Sequence, residues 1–419
     1  MVSVKSVFHH NTIGVKNATP QNQTIKIRWF RRHLSSGVFN QNEIEMSSQK
    51  LKILITGGGT GGHVFPAIAI ADAIKKLRPD TEFLFVGAKG KMEMERVPQA
   101  GYAIEGLNIA GFQRSMSLRN LSFPFKLLNS LWKARKIIRR FAPHVVVGTG
   151  GYASGPVMRA AQRAGVPTVI QEQNSYAGVT NKILGKKSAA VCVAYDHMEQ
   201  FFPEDKIVFT GNPVRSDILN LDGKHKEGIR HYGLDPDKKT IAVVGGSLGA
   251  RTLNNALRDN TAFLEKYDGV QVLWQCGKFY ELVYNECDTA KLPNVHLRAF
   301  IDRMDLLYAA ADVVISRAGA LTISELCLVG KPAVLVPSPN VAEDHQTKNA
   351  LALVEKGAAR LVRDAEAGEK MLQEALLVLE NEALAFSLSE SIRQLGRPNA
   401  ADAIAREVIK LAENKTQSQ

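Results

Sequence analysis

Chemistry in this 419-residue chain is best sought first at three glycine-rich turns. Gly57-Gly58-Gly59-Thr60-Gly61-Gly62-His63 runs into a helical pattern, Gly148-Thr149-Gly150-Gly151-Tyr152-Ala153-Ser154-Gly155 follows an apolar run, and Gly245-Gly246-Ser247-Leu248-Gly249 follows another. Glycine adopts positive φ without steric cost and lets a ligand approach the main chain, while the free N–H groups of a following helix favour an anion. One such turn can simply pack a strand against a helix, but three of them at strand ends point to a phosphate-bearing ligand. Gly57-x-Gly59-x-x-Gly62 formally satisfies the dinucleotide fingerprint. The next strand, however, ends at Val86-Gly87 without the acidic residue that binds a ribose, which counts against an oxidoreductase.

Around these turns lie side chains with matching chemistry. His63, with an ordinary pKa near neutrality, is suited to accept a hydroxyl proton, and serves equally well as a residue that packs the turn. Glu172 and Asn174 follow a strand and face the same edge, with Glu172 the second candidate base; satisfying loop backbone is their alternative role. Ser247 offers a hydroxyl beside backbone amides to a diphosphate, or caps its helix. In the run Ser316–Glu325, the amides and Thr322 suit phosphate, and the Glu325 carboxylate can accept both hydroxyls of a ribose or favour the helix dipole. Asp344-His345-Gln346 can meet sugar hydroxyls. Asp235-Pro236-Asp237 has the D-x-D spacing of a metal site but reads as a turn, so no metal and no cofactor are expected.

The elements that must position these groups alternate between short apolar runs and helix-length amphipathic segments, the mark of βαβ units and parallel sheets. Strands are expected at Ile53–Thr56, Phe83–Val86, Val145–Gly148, Thr168–Gln171 and Val191–Ala194. A second series is expected at Thr240–Gly245, Val270–Trp274, Val295–Leu297, Val313–Ser316 and Ala333–Pro337. Residues 51–211 and 240–399 thus read as two Rossmann-like α/β domains facing a cleft, joined by a charged connection at 212–239.

Composition agrees with a globular chain, at 45% hydrophobic and 22% charged residues, and excludes disorder throughout. Fifty-three Lys and Arg against 41 Asp and Glu give a net charge of +12, so an anionic ligand or surface is expected. No nucleic-acid motif accompanies that charge. Cys192, Cys276, Cys287 and Cys327 lack metal or disulfide spacing and read as buried thiols of a reducing cytoplasm. Neither a membrane-spanning run nor a secretory signal is found. Residues 1–50 are basic and too polar for a core, which suggests a tail or a true start at Met46. Leu118–Phe141 interleaves Phe123, Phe125 and Trp132 with Lys126, Lys133 and Arg135. That stretch suits either an anionic membrane surface or an ordinary helix packed on a sheet.

Taken together, GGTGGHVFP (58–66), GGYASGP (150–156), EQN (172–174), GNPVR (211–215), GGSLGAR (245–251) and RAGALTISE (317–325) closely resemble the bacterial MurG glycosyltransferase family, from about Lys52 to Leu411. The resemblance implies a GT-B fold, with the donor UDP-N-acetylglucosamine (UDP-GlcNAc) bound mainly by the second domain and the acceptor lipid I by the first. By position, Thr60, Gly61, Gly62, Asn174, Arg215, Ser247, Ile301, Ala320, Leu321, Thr322, Ile323, Ser324, Glu325 and Gln346 would contact donor or cleft. Ile301 would address uracil through its backbone, Glu325 the ribose and Gln346 the sugar. A final helix near Ala400–Leu411, within a terminal segment 400–419, would return to the first domain. The implied reaction is an inverting transfer to the muramyl 4-hydroxyl that makes lipid II, at the cytoplasmic face of the inner membrane and alongside other cell-wall synthesis proteins. Gln171 stands where the family often has His, and His345 where it often has Gln. The alternatives are another GT-B enzyme, such as a lipid A disaccharide synthase or a UDP-GlcNAc 2-epimerase, and a non-catalytic nucleotide-sugar-binding protein.

Overall fold

The computed structural model describes residues 50–109, 123–246 and 248–417. One sheet has seven strands: β1 (Lys52–Gly57), β2 (Glu82–Ala88), β3 (Ile104–Leu107), β4 (Val145–Gly150), β5 (Thr168–Glu172), β6 (Ala190–Val193) and β7 (Ile207–Phe209). The other has six: β8 (Lys239–Val244), β9 (Val270–Gln275), β10 (Val295–Arg298), β11 (Val313–Ser316), β12 (Ala333–Leu335) and β13 (Arg360–Leu361). Their orders are β3-β2-β1-β4-β5-β6-β7 and β10-β9-β8-β11-β12-β13, and the pairings are parallel.

Central strands are covered on both faces, which is why they read as unbroken apolar runs. Leu54, Val146 and Ile170 enter the core on one side of the first sheet, and Ile53, Val145 and Val169 the core on the other. Ala242 and Val314 against Ile241 and Val313 repeat the arrangement in the second sheet. The strands not anticipated from sequence, β3, β7 and β13, are all edge strands with largely half-buried residues.

Strand order reverses between β1 and β4 and again between β8 and β11. Parallel α/β sheets bind ligands in the crevice beyond the carboxyl ends at such a switch point. All three glycine turns leave strands there: after β1, after β4 and after β8. The helix Ala400–Gln417 packs Ile404, Ala405 and Val408 into the same core as Ile70 and Ile74 of the helix Gly61–Leu77, so the chain's last helix rests on the first domain.

Cys192, Cys276 and Cys327 are buried, and Cys287 is only half-buried. Burial pushes the Cys192 thiol up to about 12, which leaves it unreactive. Asp235 and Asp237 form the expected turn, with the Asp237 N–H donating to Asp235 Oδ1 at 2.9 Å. This turn precedes β8, at the end of the strand opposite the glycine loop. Among the described residues, no helix is long and apolar enough to cross a membrane.

Candidate active site

The first glycine loop is held from both sides. Gly58 N–H donates to the Gly150 carbonyl at 3.2 Å, tying the β1 turn to the β4 turn. Buried Glu93 accepts from Gly59 N–H at 2.8 Å and Ala88 N–H at 2.9 Å. Gly151, at φ +87°, lies so close that an added Cβ would sit 2.1 Å from the Gly58 carbonyl oxygen. Thr60, Gly61 and Gly62 begin the helix Gly61–Leu77, and no side chain caps its first turn. Uncapped N–H groups of such a first turn favour an anion.

His63 sits in that first turn. Its carbonyl accepts from Thr149 Oγ1 at 2.8 Å, and its ring Nδ1 lies 3.2 Å from Gln173 Oε1. Burial lowers the imidazole pKa from its ordinary 6.5, against the opposing pull of Glu172 and the Gln173 bond. The ring is therefore neutral around pH 7 and able to take a proton.

Glu172, the second candidate base, is held within its own loop. Its Oε1 accepts from Asn174 N–H at 3.1 Å and Asn174 Nδ2 at 3.2 Å, and its Oε2 from Gly178 N–H at 3.1 Å and Asn181 Nδ2 at 2.8 Å. Each oxygen is thus engaged twice and the residue is 2% exposed, the loop-supporting arrangement that the sequence offered as its alternative role. Asn174 in turn accepts from Asn349 Nδ2 at 3.2 Å, and Ser175 donates from both N–H and Oγ to Asn349 Oδ1 at 3.0 Å. Asn349 belongs to the helix His345–Val354 of the second domain, so these bonds bridge the cleft.

The second domain repeats the device. Gln275 accepts from Gly245 N–H at 3.0 Å and donates to the Gly246 carbonyl at 2.9 Å, bracing the loop after β8. Ser247 itself lies outside the described residues. After β11, Gly319 precedes the helix Ala320–Val329, whose first turn again has no side-chain cap. Ala320, Leu321 and Thr322 are half-exposed there, Ile323 is buried in the core, and Ser324 Oγ donates to the Ala320 carbonyl at 2.9 Å.

Glu325, 7% exposed, accepts from Arg215 Nε at 3.0 Å and from Tyr308 Oη at 2.8 Å. Burial raises the carboxyl pKa, and the Arg215 guanidinium and Tyr308 hydroxyl oppose that rise. Gln346 accepts from Ser338 N–H at 2.8 Å. The side chain of Ile301 is buried in the second core, which leaves only its backbone to address a ligand. His345 has its Nδ1 buried without a partner, and burial lowers its pKa within electrostatic reach of Glu172 and His63. The structure thus gathers His63, Asn174, Arg215 and Glu325 into one bonded region between the two sheets.

With this geometry in place, comparison with known proteins is decisive. The glycosyltransferase family 28 N-terminal domain matches residues 53–193, and the family's C-terminal domain matches residues 240–406. The chain belongs to glycosyltransferase family 28. Within family 28, a protein of Bacteroides fragilis named UDP-N-acetylglucosamine--N-acetylmuramyl-(pentapeptide) pyrophosphoryl-undecaprenol N-acetylglucosamine transferase is 56% identical over 89% of this chain and 99% of its own length. A protein of the same name from Flavobacterium psychrophilum is 52% identical over 88% and 99%. The crystal structure of Acinetobacter baumannii MurG superposes with a TM-score of 0.67 at 29% identity, covering 86% of this chain and all of that one. The family 28 architecture seen here is GT-B: two Rossmann-like domains facing a cleft.

Three residues that hold this site escaped the sequence reading, Glu93, Tyr308 and Asn349, and two more, Gln173 and Asn212, lie inside the EQN and GNPVR motifs without a role of their own. Only the fold reveals their partners. A run of buried polar residues at a strand end, Gln171-Glu172-Gln173, was the one available hint for Gln173.

The basic stretch divides in two. In the helix Phe123–Phe141, Ala134, Ile137, Ile138 and Phe141 are core, whereas Leu128 and Trp132 are 65% and 62% exposed. Trp132 lines a groove with Arg135, Lys136, Arg139 and Arg140, and Lys136 lies 5.8 Å from the Trp132 ring centroid. Leu118, Arg119 and Leu121 lie outside the described residues, as do the side chains of Phe123 and Phe125.

Proposed function

We propose that this enzyme transfers N-acetylglucosamine from UDP-GlcNAc to lipid I, giving lipid II for peptidoglycan. The observation that carries the reading is a pair of uncapped, glycine-preceded helix N-termini facing one cleft from two domains, in a chain 56% identical to a transferase named for that reaction. The donor lies on the second domain, with the Glu325 carboxylate at the ribose, Gln346 at the sugar and the diphosphate over the helix Ala320–Val329 and the Gly245–Gly249 turn. The acceptor lies against the first domain. His63 Nε2 takes the proton of the muramyl 4-hydroxyl as that oxygen attacks the anomeric carbon from the face opposite UDP, so the configuration inverts. Charge on the departing diphosphate is met by backbone N–H groups and helix dipoles. On this account turnover needs no metal and persists in chelator.

Lipid I is bound to a polyprenyl chain, so the cleft must work at a bilayer. We assign that contact to Trp132 and Leu128 with the surrounding cations, at the cytoplasmic face of the cell membrane. UDP release measured with and without lipid I tests the reaction. Release that depends on lipid I and yields a β-1,4-linked disaccharide is expected, whereas epimerised sugar or binding without turnover would refute it.

A further inference from the structure

Gln173 lies between Glu172 and Asn174 and is 2% exposed. Its Nε2 faces the Thr149 carbonyl at 2.7 Å, the Gln171 carbonyl at 3.1 Å and Gln171 Oε1. Carbonyl oxygens only accept, so the atom facing them is the NH2 group; turning the amide over would set oxygen against oxygen at every contact. Oε1 is therefore the atom 3.2 Å from His63 Nδ1, and an amide oxygen there requires a donor.

Neighbouring amides agree without exception. Asn212 Nδ2 donates to the Gln173 carbonyl and to Ser324 Oγ, each at 3.0 Å. Asn212 Oδ1 then accepts from Gln171 Nε2 at 2.8 Å, which turns Gln171 Oε1 toward Gln173. The chain is anchored at backbone carbonyls along its length, and it ends at the helix that carries Glu325. Gly150 gives the imidazole its room, since an added Cβ would stand 2.8 Å from Nδ1. The Thr149 carbonyl, which accepts from Gln173 Nε2, also pulls on the ring, and His63 Nε2 is not one of the buried polar atoms left unpaired among the described residues, which leaves it to the cleft.

We propose that Gln173 is the positioning residue that holds His63 in the Nδ1–H tautomer and leaves the Nε2 lone pair facing the acceptor. This rests on the reading of His63 as the base. In the transfer step Nε2 takes the hydroxyl proton, the acceptor oxygen bonds to the anomeric carbon, and the bond to the diphosphate oxygen breaks with its electron pair leaving on UDP. Nδ1–H keeps its bond to Gln173 Oε1 as the ring becomes cationic. Which imidazole nitrogen is protonated is set by the hydrogen bond that the other makes.

Long-range proton–nitrogen NMR of the full chain, labelled with 15N-histidine, reads the tautomer directly, with the His63 signals assigned by their loss in His63→Ala. At mildly alkaline pH, the pattern of Nδ1–H is expected for His63; the Nε2–H pattern would overturn the proposal whether or not the Gln173 variants fold. Gln173→Leu is expected to lose the Nδ1–H pattern and to lower kcat by about ten-fold or more, a share of what a general base contributes, with KM for UDP-GlcNAc nearly unchanged. Gln173→Glu, which keeps an acceptor at Nδ1, should recover turnover relative to Gln173→Leu and move the acid limb of the pH profile upward. Full turnover in Gln173→Leu after loss of the tautomer would also defeat the proposal. Survival of turnover in His63→Ala, with Nδ1–H still present in the parent, would sink the base assignment instead.

Discussion

Arg215 and Glu325, separated by 110 residues, meet through a 3.0 Å hydrogen bond from guanidinium Nε to carboxylate Oε1. Arg215 comes from the segment that leaves the first sheet, and Glu325 from the helix after β11. The pair thus fixes the buried carboxylate where the two domains meet. Glu325→Gln, which still accepts from Tyr308, should keep the fold and weaken UDP affinity by about 10- to 100-fold, the cost of one charge-assisted hydrogen bond at ~1.5–3 kcal/mol. Calorimetry with UDP checks this, and unchanged affinity removes Glu325 from the ribose.

His63→Ala should lower kcat by roughly 100- to 10,000-fold with little change in donor affinity. The pH profile carries an independent sign. Burial holds the imidazole below its ordinary 6.5, so the neutral base persists into mild acid and the acid limb of kcat falls below that value. The same shift makes the folded state lose stability as pH drops from the ordinary value through the lowered one, because the unfolded chain binds the proton first. An acid limb at or above pH 6.5 would point to another group.

Gly151→Ala and Gly165→Ala test how tightly the first loop is built. Both glycines have positive φ, at +87° and +70°, but nothing lies within 4 Å of an added Cβ at Gly165. At Gly151 the methyl would strike the Gly58 carbonyl, so backbone must move. Gly165→Ala should cost about 1 kcal/mol from φ alone, and Gly151→Ala more than that together with most of the turnover. Denaturant melts alongside UDP release separate the two; equal costs would show that the loop yields.

How far the sequence speaks is clear from which residues it exposed. β1, β4, β8 and β11 are buried on both faces and announce themselves as apolar runs, whereas β13 is two half-buried residues on an edge. The glycine turns were visible because positive φ and backbone approach restrict the residue type. Glu93 was not: it reaches Gly59 from 34 residues away, and nothing in its own neighbourhood marks it. Asn349 meets Asn174 across 175 residues, a pairing that exists only once two domains have been laid against each other. Glu172 is the opposite case: its place beside a strand end was legible as a base or as loop support, but the four donors around its two oxygens belong to the folded loop.

Membrane contact gives the last test, resting on the outward face of the helix Phe123–Phe141. Leu128 and Trp132 are four residues apart and both exposed, so they share one face of that helix. Beside them Arg135, Lys136, Arg139 and Arg140 line the groove with Trp132. Apolar anchors dip into the interface while cations meet anionic headgroups, each cation contributing about 1 kcal/mol near the surface. Vesicle co-sedimentation should therefore require anionic lipid and weaken as salt rises. Trp132→Ser with Leu128→Ser removes only exposed apolar surface, so melting should hardly change while binding to anionic vesicles falls. Reversing Lys136 and Arg139 to Glu should abolish the lipid selectivity and leave turnover of a soluble, short-chain acceptor intact. Binding that ignores salt, or survives both changes, would move the membrane face elsewhere on the protein.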